Sequence, residues 1–399
     1  MENINPKLEK TLNYMTFGAL LVLAIGLVTS MSILALSHIL IIIPSLYFLP
    51  KVNYKNISGS TWALVALTAT IILSVVFNQD IAVHGYKAVG KSKYFLFGIL
   101  MIFPFSWYFT FIANEKKIKI LLYAFCIATT AATLAGIGAM YTNYNVLMMK
   151  IVNPDRNGGT FGMLMNYAHN LIYFQIILLG LVLYKKRVVN YINSHFLIII
   201  FSINLLGLYM TYTRGAWLGF LAAAPFYFFK KNNLKKFFSI LGILAILGVG
   251  VYHFSGKSMI RPQSDVQRIS QWQAAMYAYK ERPVLGYGYL NFENYSQVIK
   301  LRYNLRELKF VGHAHNNFFE MLASTGSIGF LAFVVWLIFW FVEMFKRDDI
   351  IGRIGVPFII CFIVGGLTQS TISLGINLFF VMAAFALSQV KKDYFQVKI

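Results

Sequence analysis

Two histidines stand two residues apart in Gly312-His313-Ala314-His315-Asn316-Asn317-Phe318-Phe319-Glu320, where a long polar segment gives way to an apolar one. Placing titratable groups at such a boundary is costly unless they are used. An imidazole with its ordinary pKa of about 6.5 can take a proton from an attacking hydroxyl. On a helix the two rings would point in different directions, so at most one of them is expected to face a given ligand. Asn316 or Asn317 can instead simply cap the apolar helix that follows. Three arginines offer complementary chemistry. Arg214 is the sole charge between two apolar runs, followed by Gly215 and Ala216, which let backbone or ligand approach closely. Arg156 sits in the turn-rich Asp155-Arg156-Asn157-Gly158-Gly159, and Arg268 on an amphipathic segment. Each has a plain reading as an interfacial or solvated cation. Each also offers a planar donor fork suited to phosphate oxygens. His169, at the start of an apolar run, and the basic stretch His84, Lys87, Lys91 and Lys93 are supporting candidates or ordinary helix-end residues.

Several chemistries lack their residues. The acids on the side of the chain that carries these arginines and histidines, Asp80, Asp155, Asp265, Glu281, Glu293 and Glu307, are scattered, with no Asp-x-Asp pair among them for a divalent metal and no close carboxylate pair for glycosidic double displacement. There is no Gly-x-x-x-x-Gly-Lys loop, and Cys126 and Cys361 both lie in apolar runs, without thiolate metal-site spacing. No metal or cofactor is expected. Within apolar runs the only acids are Glu320 and Glu343, poor equipment for ion-coupled transport.

The elements that must position these residues are helices in a membrane. The chain is 58% hydrophobic and 12% charged with a mean hydropathy of +0.64, too apolar for a soluble domain of 399 residues. The apolar runs lack period-two alternation and are too long for strands, so the fold class is all-α. About twelve spans are expected on the usual length criterion, near 12–29, 31–50, 61–78, 94–113, 119–140, 166–184, 196–212, 215–229, 237–254, 318–345, 354–370 and 374–390. The first reads as a retained helix, not a signal peptide. Lys/Arg clusters follow every second span, at Lys7/Lys10, Lys51/Lys55, Lys116/Lys117/Lys119, Lys185/Lys186/Arg187, Lys230/Lys231/Lys235/Lys236, Lys346/Arg347/Arg353 and Lys391/Lys392/Lys398. By the positive-inside rule both termini are cytoplasmic, and much of the +21 net charge is topological rather than a nucleic-acid footprint.

That assignment, made from the cytoplasmic clusters alone, puts Arg156, Arg214, Arg268 and His315 together outside. The chain divides into 1–254 with nine spans, a long external segment 255–312, and 313–399 with three more. Within the segment, Ser264-Asp265 followed by Val266, Ile269, Trp272, Met276 and Tyr279 reads as a capped amphipathic helix ended by Pro283, its apolar stripe on the membrane surface or on the bundle. The Gly286-Tyr287-Gly288-Tyr289 turn and a second helix to about Leu308 follow. Arginines with a histidine suit a lipid-linked diphosphate substrate: the guanidinia stabilise the departing diphosphate and the histidine takes the acceptor's proton.

Three motifs in order, Thr213-Arg214-Gly215-Ala216-Trp217-Leu218-Gly219, Glu281-Arg282-Pro283-Val284-Leu285-Gly286-Tyr287-Gly288, and His315-Asn316-Asn317-Phe318-Phe319-Glu320 with Gly326-x-x-Gly329, resemble the bacterial O-antigen ligase family. Its superfamily also holds O-antigen polymerases and protein O-oligosaccharyltransferases. The resemblance implies a metal-independent, inverting glycosyltransferase of the bacterial inner membrane. Such an enzyme works on the periplasmic face and moves a glycan from undecaprenyl diphosphate to the lipid A-core oligosaccharide in lipopolysaccharide biosynthesis. It further implies that Arg214, Arg156 and Arg268 bind the diphosphate, that His315 activates the acceptor hydroxyl, and that Asn316 holds it, with His313 and Asn317 alongside. Phe330 departs from the smaller or polar residue of many ligases and leaves a polymerase open. From a different class, a flippase or transporter of lipid-linked glycans would also use external cations, but it should carry charge along a transmembrane path.

Overall fold

The computed structural model describes residues 5–152, 155–161, 163–229, 234–243, 262–306, 308, 312–391 and 394. They form helices α1 (Pro6–Gly26), α2 (Met31–Phe48), α3 (Gly59–Val76), α4 (Lys93–Leu100), α5 (Ile102–Trp107), α6 (Glu115–Thr142), α7 (Leu164–Leu183), α8 (Lys185–Val188), α9 (Ser194–Tyr209), α10 (Arg214–Ala223), α11 (234–243), α12 (Pro262–Glu281), α13 (Phe292–Arg302), α14 (Asn317–Lys346), α15 (Ile350–Gly366) and α16 (Gly375–Ser388). One two-residue antiparallel ladder pairs Tyr144 with Ile151 and Asn145 with Lys150.

Seven stretches among the described residues are long and apolar enough to cross a membrane: α1, α2, α3, the run Gly85–Ile112 that contains α4 and α5, α6, α7 and α14. α9, α15 and α16 are shorter apolar helices. The difference from the expected twelve has local causes. The expected span 215–229 is the ten-residue α10, tightening into a 3-10 turn at Ala224–Phe228 that contains Pro225. The expected span 237–254 is described only to residue 243, and its remainder lies outside the described residues, as does the start of the polar segment, 255–261. The window 354–370 becomes α15, of the same length but four residues earlier, because Thr368-Gln369-Ser370-Thr371 leaves the helix and becomes a largely buried polar connection, and the window 374–390 becomes the 14-residue α16.

The bundle core is aromatic. α14 lies along α3 and α15, and Trp336 and Trp340 of α14 stack at 5.3 Å with Phe362 of α15 and Phe385 of α16 around them. Basic clusters share one end of the bundle: Lys117 Nζ donates to Asn13 at 3.0 Å, Arg187 to the Asp348 carbonyl at 3.4 Å, and Arg347 to the Ser388 carbonyl at 2.8 Å. The candidate chemical residues lie at the other end.

At that end α12 and α13 form a small second core around Ala274, Ala275, Ala278, Phe292 and Ile299. Of the apolar stripe expected on the membrane surface or on the bundle, Val266, Ile269 and Met276 are 36–52% exposed, while Trp272 and Tyr279 are half-buried. The buried face is the alanine one, because small side chains let α13 and α14 approach closely. α13 also ends at Arg302 rather than near Leu308. This layer is clipped into a break in α14. Gly326 departs from helical geometry (φ 63°, ψ −163°), and the freed Ser327 and Ile328 amides donate to the carbonyls of Pro283 (2.8 Å) and Val284 (3.4 Å). The Tyr287 amide donates to Ala323 O at 2.9 Å. A Cβ at Gly326 would lie 2.4 Å from the Val284 carbonyl, and one at Gly286 2.6 Å from that of Ala323, so the glycines of two motifs serve one interlocking joint.

Candidate functional site

Arg156 is placed by its neighbour. Asn157 is fully buried, its amide N–H donates to Met210 O at 2.9 Å, and its side chain donates to Gly207 O at 3.1 Å and accepts from Gly159 N at 3.0 Å. It wedges between α6 and α9 where Gly136 leaves room. Arg214 opens α10, and the positive end of a helix dipole favours an anion. Gly215 is required there because a Cβ would meet Thr368 Oγ1 at 2.0 Å. Arg268 projects from α12.

These elements bring the three arginines to one pocket, which also includes His169, Ser264 and Thr368. It is narrow, about 30 Å³, roughly one water's share of volume. Arg214 Nη2 lies 3.0 Å from Asp265 Oδ1, so a carboxylate already stands against the guanidinium. Burial, then the charge of Arg214, holds the Arg268 guanidinium below its ordinary pKa, with Asp265 opposing. An anion entering here relieves repulsion between like charges. His169 is 1% exposed; its Nδ1 donates to Met165 O at 2.8 Å, and its Nε2 has no partner among the described residues.

The histidine stretch is a turn rather than a helix. Gly312 (φ 80°) and His315 (φ 52°) are both left-handed. The buried Glu320 carboxylate holds the turn by accepting from Ala314 N (2.7 Å) and Ser324 Oγ (3.0 Å). The two imidazoles therefore face a common partner, contrary to the helical expectation, with ring centroids 4.5 Å apart. That partner is Gln369. Its Oε1 accepts from His315 Nδ1 at 2.6 Å and its amide donates to His313 Nε2 at 3.3 Å. Since a carbonyl oxygen only accepts, His315 carries its proton on Nδ1 and presents a lone pair at Nε2. Burial lowers the His315 pKa, the Gln369 hydrogen bond opposes, and Arg268 and Lys300 push it lower. His313 is pushed down to about 3 by burial and then by His315. Both rings are neutral at neutral pH.

Asn316 does not hold His315. Its Oδ1 accepts from Phe318 N (2.8 Å) and Phe319 N (3.2 Å) as the cap of α14, and its amide donates to Leu367 O at 3.1 Å. Asn317 bonds Thr371 and Ile372 across the same connection. Lys87 is not among the residues lining the arginine pocket; its loop packs on the Gly288–Asn291 turn, where Val83 N donates to Asn291 Oδ1 at 3.1 Å. Four site residues escape a reading of the sequence: Gln369, Asn157, the fully buried Lys300, and Asp265 in its pairing role. The polar run Thr368–Thr371 between two apolar runs was the available signal for Gln369.

Residues 196–334 match the family described as O-Antigen ligase. The matched stretch spans α9 to the first half of α14, and so contains Arg214, Arg268 and His315. An uncharacterized protein of Haemophilus influenzae is 21% identical over 336 residues, covering 76% of this chain and 79% of its own length.

Proposed function

We propose that this chain, which carries an O-antigen ligase family domain, transfers O-antigen glycan from undecaprenyl diphosphate to a sugar hydroxyl of the lipid A-core oligosaccharide. The observation that carries the reading is that Arg156, Arg214 and Arg268, from three separate elements, line one pocket while the Arg268 charge reaches His315. In this reading His315 Nε2 takes the proton of the acceptor hydroxyl. The hydroxyl oxygen then forms a bond to the anomeric carbon from the face opposite the diphosphate, the anomeric carbon–oxygen bond to diphosphate breaks, and the configuration inverts. The three guanidinia stabilise the charge that gathers on the departing diphosphate. Cations supply the electrostatics, so the chemistry is metal-independent. We place the protein in the bacterial inner membrane with the site on the periplasmic face, and with 1–254, 255–312 and 313–399 as the first spans, the external segment and the last spans.

The deciding experiment is glycan analysis in a strain lacking the protein. Full-length glycan stranded on the carrier supports the ligase. Core bearing a single repeat sinks that reading in favour of a polymerase using the same carrier chemistry. In a purified transfer assay run in chelator, His315→Ala should bind donor but fail to transfer, whereas Arg214→Ala should weaken donor binding. Unimpaired turnover by His315→Ala removes the proposed base.

A further inference from the structure

Beside the arginine pocket lies a larger groove of about 460 Å³, open to the surface, between α12, the end of α13 and the start of α14. Its walls carry three aromatic rings beside the aliphatic Ile269, Met276 and Leu305: Trp272 stacks on Phe319 at 5.6 Å, and Tyr277 is held by stacking on Tyr303 behind it at 3.9 Å. Gln273 and Lys280 supply polar groups. The Trp272 indole N–H is buried yet has no hydrogen-bond partner among the described residues. We infer that this groove is a sugar-binding subsite, holding the glycan residues next to the reacting centre.

Two features favour sugar. The first is position. Ser264 and Arg268 line the arginine pocket and Trp272 the groove, so the two sites follow one another along a single face of α12 in steps of four residues. One step is a rise of about 6 Å, on the scale of one sugar ring. On the other wall, Phe319 lies four residues beyond His315. A sugar joined to a diphosphate held by the arginines reaches the groove directly, and so does a sugar whose hydroxyl is at His315. The second feature is chemistry. A buried N–H without an acceptor is costly, and an aromatic face with N–H donors at its edge suits a ring with C–H faces and hydroxyl oxygens. A hydrocarbon chain would leave the indole N–H unsatisfied.

The inference rests on the proposed glycan transfer and is separable from it. Purified protein in nanodiscs is titrated with undecaprenyl diphosphate alone and with glycan-bearing carrier extracted from cells lacking the protein. Transfer to lipid A-core is followed in parallel. Trp272→Ala should weaken binding of the glycan-bearing carrier by about tenfold with glycan-free carrier unaffected, which assigns the subsite to the donor. A rise of that size in KM for the core alone assigns it to the acceptor. Trp272→Phe, which keeps a ring but lacks the N–H, should show a smaller loss in the same direction, and its unfolding temperature guards against misfolding. Equal weakening toward both carriers makes the groove a hydrocarbon channel and overturns the inference, as does no change with any probe. Wild-type protein that binds neither carrier overturns the transfer reading itself, and the inference with it.

Discussion

Gln369→Leu isolates what the amide does for His315. In the proposed reaction the imidazole becomes imidazolium as the acceptor is deprotonated, and the 2.6 Å bond from Nδ1–H to Gln369 Oε1 strengthens as that charge develops. A hydrogen bond to a charged group is worth about 1.5–3 kcal/mol, so its loss should lower kcat by about ten- to a hundredfold. Donor KM should hold, because Gln369 does not line the arginine pocket. The pH profile adds a second, independent sign. His315 already titrates below the ordinary histidine value because it is buried. Activity therefore persists at pH 7 and falls only as pH drops through that lowered pKa. The Gln369 bond is the upward contribution, so Gln369→Leu moves the acid limb further down, whereas the carboxylate of Gln369→Glu moves it up. The assay is carrier-linked donor and lipid A-core with protein in nanodiscs, measuring kcat and KM from pH 4 to 8. Unchanged kcat in Gln369→Leu, or an acid limb that rises, refutes the positioning of His315 by this amide.

Gly326→Ala should destabilise the protein by about 2 kcal/mol or more, since the residue is left-handed and its Cβ would meet the Val284 carbonyl at 2.4 Å. An unchanged unfolding temperature in detergent would show that the joint has room to yield. Asp265→Asn should lower donor KM by up to about fivefold, because the partly exposed Asp265 carboxylate competes with diphosphate for Arg214 and such pairs are worth less than about 1 kcal/mol. A raised KM would instead make Asp265 an organiser of the site.

The helical class and the gathering of Arg156, Arg214 and Arg268 were legible because both follow from coarse patterns: long apolar runs, and basic clusters after every second one. Finer placements failed where backbone geometry overrode the pattern. His313 and His315 were expected to diverge because a helical direction was assumed, whereas left-handed Gly312 and His315 turn both rings onto Gln369. Gln369 was hidden because the apolar window 354–370 absorbed Thr368-Gln369-Ser370 into the span. On α12 the hydrophobic stripe left open whether it faces the membrane surface or the bundle; Ala274, Ala275 and Ala278 take the bundle side because they pack more closely than larger residues could, and Ile269 and Met276 stay outside. Asn157 looked like one more turn residue, and its role depends on Gly136 and Gly207, far away in sequence.

The two halves of the site are held in register by different means, and the difference bears on catalysis. Arg268 and His315 belong to a single clamped unit. Gln271 of α12 donates to Gly312 O at 2.5 Å, Tyr279 bonds Ser327 at 3.0 Å, and the Pro283–Tyr287 backbone is zipped into the break at Gly326. Arg156 and Arg214 come from outside that unit, from the loop before α7 and the start of α10. What joins the two halves is the connection between α15 and α16. Thr368 presses on Gly215, Gln369 sits between the histidines, the Leu367 carbonyl receives Asn316, and Thr371 receives Asn317. Orienting reacting groups can be worth about 7–11 kcal/mol of a barrier, and an error near 1 Å forfeits much of it. A substitution at Thr368 that displaces α10 should therefore impair donor binding and proton transfer together, a coupling that neither Arg214→Ala nor Gln369→Leu produces alone.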